Sequence, residues 1–352
     1  MDATSEALSG QRQAKSKTGP NSAAPSSILT LEVKSVADCP GHGVSGVLGD
    51  RLSSATAHVR EARSFLPYVA QRDQDRAEKL EACGSWLLFN EYIESGAVRL
   101  ASGIFCQQPL LCGFCASGRA ARQVQALSDK IDHVCSQHVH LTPYMVTLTM
   151  RSQPELKPMI RDFWAAWSKM LQRGRNAKAG RCDSVLGLMA GGFLAGEAKR
   201  GKGGDWHYHA HGIFLADVDR YQPVWERLKR EWAGVLGQSG ASVQFQPVAR
   251  EGTPHAIREC CKYASKWEPG AYADRWTAFQ SLTRVRRVRT FGVLYGVHLP
   301  EEVTDDLSDM EAEEYIERAF RYGQTGYYEV KHAQRERAFD EFNEKGFSDD
   351  GL

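Results

Sequence analysis

No stretch of this 352-residue chain approaches the ~18 to 20 consecutive apolar residues of a membrane span, so no membrane partner is expected. The longest candidate, Val185 to Gly196, is short and glycine-rich. The opening residues lack the apolar core of a secretory signal, and a cytoplasmic location is the expectation. No sequence repeats internally, and no glycine-rich phosphate loop of the Walker type occurs, which argues against an ATP-driven motor. The nine cysteines are odd in number and come without an export signal, so reduced thiols or metal ligands are expected rather than a disulfide framework. What is present is ordinary for a globular protein: 42% hydrophobic and 25% charged residues, too apolar for a chain disordered throughout.

The net charge of +1 conceals an uneven distribution. Residues 151 to 182 carry eight Lys/Arg against two Asp/Glu, and Arg284, Arg286, Arg287 and Arg289 form a second basic cluster. Glu301 to Glu317 holds nine acidic residues and no basic one. A basic working surface is therefore compatible with the near-neutral total.

Residues 1–30 read as a disordered tail, rich in Ser, Ala, Gly and Lys. A mainly helical segment follows over 31–140, with helical patterns at Ala55 to Leu80 and Arg119 to Ile131 and a cysteine group between them. Over 141–295 strands and helices mix. Tyr144 to Met150 reads as a buried strand bounded by Pro143 and Pro154, Met159 to Arg173 as a helix, and Leu186 to Lys199 with Trp206 to Ala216 as a hairpin. Val218 to Leu236 reads as an amphipathic helix, Ser242 to Val248 as a strand and Pro254 to Glu268 as a helix. Residues 296–352 form an acidic, helical extension. Without strict βαβ alternation the fold class is α+β, with a central antiparallel sheet and flanking helices.

Trp206 to Leu215, WHYHAHGIFL, is the most informative run. Side chains alternate across a strand, so His207, His209 and His211 share one face. Three imidazoles on a covered strand need partners, which a divalent cation or acidic neighbours would supply; a single histidine would read as a hydrogen-bonded core residue, but three on one face favour the cation. Glu197, on the preceding strand, reaches that face if it stands opposite His209; a slip of one residue turns it away.

A second constellation lies in Thr253 to Pro269. Thr253 is read as the N-cap, Pro254 as the first helical residue and Pro269 as the stop. At ~100° per residue, Ile257, Cys260, Cys261 and Ala264 form an apolar stripe, while Glu259, Lys262, Tyr263 and Lys266 gather on the other side. Glu259 and Tyr263, four apart, are neighbours on the helix surface, with Lys266 one turn on. A tyrosine hydroxyl, with a reference pKa near ~10, becomes a nucleophile at neutral pH only beside a metal or cation. Attack on a DNA phosphodiester would store the bond energy as a phosphotyrosine for later rejoining.

Together these motifs resemble the rolling-circle replication initiators of small bacterial plasmids, within the His-hydrophobic-His (HUH) endonucleases. The strand Val146 to Thr149, the strand His207 to His211 and the helix Glu259 to Lys266 match in order, over about 80 to 295. The resemblance implies an RRM-like sheet core and a metal pair His209 and His211, with His207 as an extra upstream histidine and Glu197 at the acidic position. It also implies Tyr263 as nicking nucleophile and Glu259 as the group that activates water for the terminating cleavage, with Lys266 supporting the displacement. Ala210 departs from the bulkier apolar residue usual there. The implied partners are the plasmid origin DNA with its hairpin or single-stranded nick site, a host helicase and a DNA polymerase, in the bacterial cytoplasm. The implied cation is Mn²⁺ or Mg²⁺, and the imidazoles favour Mn²⁺.

Cys83, Cys106, Cys112 and Cys115 are a candidate structural zinc set, with Cys135, His133, His138 and His140 as alternative ligands. Related initiators carry a similar Cys-x-x-Cys before the first catalytic strand. Arg173, Arg175, Arg284, Arg286, Arg287 and Arg289 are candidate phosphate contacts. A mobilisation relaxase or single-strand transposase would use the same chemistry at another DNA site. A zinc-stabilised DNA-binding regulator with an inert Tyr263 is the reading from a different class.

Overall fold

The computed structural model describes residues 46–218, 221–265, 271–297 and 314–330; for Tyr221 and residues 262–265 only the backbone is described. The expected tail 1–30, Lys266, Pro269, most of the acidic run and residues 331–352 lie outside the described residues. The protein is α+β, with antiparallel sheets flanked by helices.

Seven helices and nine strands are described in chain order: α1 (Gly46–Ala70), α2 (Gln74–Ala82), β1 (Trp86–Tyr92), β2 (Val98–Gly103), α3 (Gly113–Gln137), β3 (Thr142–Thr149), α4 (Leu156–Lys178), β4 (Met189–Arg200), β5 (Trp206–Ala216), α5 (Tyr221–Leu236), β6 (Ser242–Pro247), α6 (Thr253–Ser265), α7 (Tyr272–Leu282), β7 (Val288–Gly292), β8 (Tyr315–Tyr322) and β9 (Tyr327–Val330). One sheet has the order β6-β3-β5-β4-β7 and the other β2-β1-β8-β9.

The five-stranded sheet is covered on both faces, which explains why β5 is apolar on one side and carries both histidines and apolar residues on the other. On the first face Tyr208, Ala210 and Phe214 pack against Phe163, Trp164 and Trp167 of α4 and Trp232 of α5. Phe163 and Tyr208 meet edge-on there at 5.1 Å, and Trp167 and Phe214 meet tilted at 5.7 Å. Trp232 Nε1 donates to Thr149 O at 2.9 Å, so even the buried indole is satisfied. On the second face Phe193, Ala195, Ile213 and Leu215 pack under Leu127, Ile131 and Val134 of α3 and Ile257, Cys260 and Cys261 of α6. Sliding β5 by one residue would exchange the two sets, so burial on both faces fixes the register.

Several expectations are corrected. The N-terminal segment read as helical also contains β1 and β2, and the C-terminal stretch read as acidic and helical contributes β8, which pairs with β1, and β9, which pairs with β8. Arg318 of β8 binds Glu91 of β1 at 3.1 Å and Glu329 of β9 at 2.8 Å, an ion triad across three strands that periodicity does not reveal. The single pattern Ala55 to Leu80 is two helices, because Asp73 caps α2 by accepting from Arg76 N. Residues Val185–Gly187 are a turn of 3₁₀ helix before β4. Pro143 lies inside β3 rather than bounding it. Thr253 is not the N-cap: a 3₁₀ turn, Arg250–Gly252, leads into α6, and the Thr253 hydroxyl donates backward to Ala249 O at 3.3 Å.

Among the described residues no helix is long and apolar enough to cross a membrane.

Candidate metal centre

The β4–β5 hairpin turns through residues 201–205, where Gly201 N donates to Asp205 O at 2.8 Å and Gly204 adopts φ +87°, a conformation open to glycine. The register that follows pairs Glu197 with His209, Ala195 with His211 and Lys199 with His207. Glu197 therefore faces the histidines, as the parity of the hairpin requires. Gly196, its neighbour, faces the other way, where a Cβ would collide with the Tyr208 hydroxyl.

Glu197 Oε2 lies 2.8 Å from His209 Nε2 and 3.4 Å from His211 Nε2. Ligand atoms of all three residues fall within 4.8 Å of one another, and the group could hold a metal ion. Burial would raise the Glu197 carboxyl, but the hydrogen bonds from His209 and His211 outweigh it and hold the group down at about 2. A charged carboxylate and two imidazoles converging on one point form a donor set suited to a divalent cation. His209 Nδ1 is buried without a hydrogen-bond partner. His207 stands apart: its ring is 5.1 Å from that of His209, and its Nδ1 is 3.3 Å from Ser152 Oγ. Burial and then the charge of His209 press its pKa below the ordinary value.

The third strand supplies what the sequence reading left out. Thr147 of β3 is the cross-strand partner of His211, and its Oγ1 lies 2.9 Å from His211 Nδ1. The strand was legible as apolar; the polar residue at its odd position was the available signal.

Helix α6 packs over this same sheet face. Ile257, Cys260 and Cys261, fully buried, belong to the cluster containing Ala195, the partner of His211. The predicted apolar stripe is thus the buried face at those three positions. Glu259 is half-buried on the helix, and Tyr263 is within α6 at the level of its backbone.

No known family, curated protein or solved structure matches this chain.

A second group gathers Cys83, Cys106, Cys112 and Cys115, all buried. Their sulfurs lie 3.5 Å (Cys83 to Cys112), 3.6 Å (Cys83 to Cys115) and 3.6 Å (Cys106 to Cys115) apart. A zinc ion with bonds of about 2.3 Å sets tetrahedral sulfur edges near ~3.8 Å, so the four are close to preformed for it. Contacts among the sulfurs split the thiols. Cys112 and Cys115 are lowered, first by Cys106, while Cys83 is raised first by Cys106 and Cys106 first by Cys112. Gln107, at φ +51°, donates its backbone N–H to Cys115, and Cys112 caps α3, whose N-terminal dipole favours thiolate. Of the alternative ligands, Cys135 is buried in the other core with α6, and His138 and His140 are exposed; His133 Nε2 is 3.3 Å from Gln137 Nε2.

The candidate phosphate contacts do not gather at the metal group. Arg289 pairs across the sheet with Leu194 and stacks 4.1 Å over Trp164, on the opposite face. Arg287 is half-buried, its guanidinium pushed down to about 10 by burial and then by Arg119. Arg173 and Arg175 are exposed on α4, which covers that opposite face, and Arg284 follows α7 at φ +64°. Arg286 is exposed, and its Nε donates to Val288 O at 3.2 Å. The bond from Gly196 N to Arg287 O continues the β4–β7 register, which brings Arg286 level with Glu197.

Proposed function

We propose that the protein is a metal-dependent, site-specific DNA endonuclease and strand transferase that starts rolling-circle replication of a plasmid. The observation that carries this reading is the convergence of Glu197, His209 and His211 on the sheet face over which α6 packs. Direction supports it too. Helix α6 starts at the end of the sheet where Arg250 bonds Leu141 O at 3.2 Å and Thr142 pairs with Ala216. From Leu215 to His209 is ~20 Å along the strand, and from Thr253 to Tyr263 is ~15 Å along the helix. A helix running down the face from that end carries its last turn toward the histidines.

In this reading the Tyr263 oxygen attacks the phosphorus of the nick site. The bond to the 3′ oxygen breaks, the tyrosine hydroxyl gives up its proton and the leaving 3′ oxygen takes one up, so the resulting 3′ hydroxyl primes synthesis while the 5′ phosphate stays on the tyrosine. A bound Mn²⁺ or Mg²⁺ would neutralise charge on the scissile phosphate. Glu197, His209 and His211 would hold that ion, Lys266 would stabilise charge developing on the phosphate, and Glu259 would take the proton from water in the terminating cleavage. The Cys83, Cys106, Cys112 and Cys115 group would hold a structural zinc. Origin DNA, a host helicase and a host polymerase are the partners in this scheme, and the bacterial cytoplasm its compartment.

The test is incubation with single-stranded origin DNA and Mn²⁺, followed by peptide mapping. A covalent adduct on the peptide containing Tyr263 is expected. DNA binding without an adduct would instead mark a DNA-binding regulator.

A further inference from the structure

We infer that Thr147 is a positioning residue for the candidate metal centre, its hydroxyl orienting His211 from behind. The inference rests on the reading that Glu197, His209 and His211 hold a divalent cation.

The two histidines differ in how they are held. His211 Nε2 points toward Glu197 Oε2, and its Nδ1 is 2.9 Å from Thr147 Oγ1. His209 Nε2 also points to Glu197, but its Nδ1 is buried without a partner, and its ring is placed by the neighbouring rings of His207 and His211 at 5.1 Å and 4.7 Å. Of this pair, then, it is His211 whose rear nitrogen is hydrogen-bonded to β3.

A hydroxyl is suited to this place because it both donates and accepts. When His211 Nε2–H donates to Glu197, Nδ1 is the bare nitrogen and Thr147 donates to it. When Nε2 gives its lone pair to a cation, the ring proton resides on Nδ1 and Thr147 accepts it. One side chain satisfies both tautomers without moving, whereas a carbonyl or carboxylate would favour one. The backbone enforces the meeting: Thr147 and His211 are direct partners, and Val146 and Leu148, fully buried on the opposite face, forbid a slip.

The experiment measures Mn²⁺ affinity of the full chain by calorimetry and electron paramagnetic resonance, with zinc retained at the cysteines. Thr147→Val, matched in shape and suited to a strand, is expected to weaken binding about 10- to 100-fold. Thr147→Ser is expected to restore most of the affinity, which a merely structural role for the methyl group would not allow. In the metal-free protein, the ¹⁵N shift of His211 Nδ1 is expected to move in Thr147→Val and return in Thr147→Ser. Wild-type affinity in Thr147→Val would overturn the inference. Equal Mn²⁺ binding by wild type and His211→Ala would overturn the metal reading itself, and the inference with it.

Discussion

Glu197 and His209 face each other directly across β4 and β5, with Oε2 and Nε2 2.8 Å apart. The carboxylate side chain is only 10% exposed, yet it remains ionised because two imidazoles, not one, point at it. The charge that would attract a cation is therefore in place before any cation arrives, and little rearrangement is needed to use it.

That arrangement has a pH signature in the metal-free protein. The Glu197 carboxyl is depressed from 4.5 to about 2 in the folded state, so its contribution to stability is present above ~4.5 and disappears as pH falls toward ~2. Denaturant titrations of wild type and Glu197→Gln are expected to differ by up to about 3 kcal/mol near pH 6. The gap should narrow between pH ~4.5 and ~2. A difference constant across that range would mean that the ionised carboxylate is not what stabilises the hairpin.

Tyr263 and Glu259 sit one helical turn apart on α6 but are assigned to different steps. Tyr263→Phe is expected to abolish the initial nick on supercoiled origin DNA. Glu259→Gln should spare that nick and slow the terminating cleavage by about 10²- to 10⁴-fold, the usual scale for losing a general base. Normal nicking by both variants would rule out the assignment.

Thiol titration addresses the cysteine group. One zinc per chain is expected to be released as Cys83, Cys106, Cys112 and Cys115 are modified, followed in a colorimetric chelator. Cys106→Ser should lose the ion and cost about 3 kcal/mol or more of stability, since binding of a structural zinc is part of the folding free energy. Cys182→Ser, at an exposed cysteine, is the control and should behave as wild type.

The parts of this fold legible in the sequence are those set by local periodicity. Alternation placed His207, His209 and His211 on one face, and parity allowed Glu197 beside them only in the register that pairs it with His209, which is the one found. The buried stripe of Ile257, Cys260 and Cys261 follows from the 3.6-residue turn in the same way. What was hidden is long-range. The pairing of Leu87 with Phe320 joins strands more than two hundred residues apart, and nothing near either residue announces it. The Thr253 cap failed because the chain enters α6 through a preceding 3₁₀ turn, where the hydroxyl finds Ala249 O before it can meet an N–H of the helix. His207 shares the face but not the cluster, since sharing a face does not bring every ring to one point.

The basic cluster near β7 divides by the same parity, and this gives a last test. Arg289 stacks on Trp164 beneath α4, so it serves packing; Arg286 is exposed with its Nε bonded to Val288 O, and the extended register brings its backbone level with Glu197. Arg289→Ala is expected to lower stability by about 1 to 2 kcal/mol, the range for a partly desolvated cation–π contact, and to leave the salt dependence of DNA binding unchanged. Arg286→Ala should leave stability unchanged and reduce the slope of log K against log salt by about 1, the loss of one phosphate contact. Both slopes can be read from fluorescence anisotropy with a labelled origin oligonucleotide between low and moderate salt. If Arg289→Ala changed the slope and Arg286→Ala did not, the nucleic acid would lie on the α4 side of the sheet, away from Glu197, and the proposed nicking site would lose its route to the phosphate.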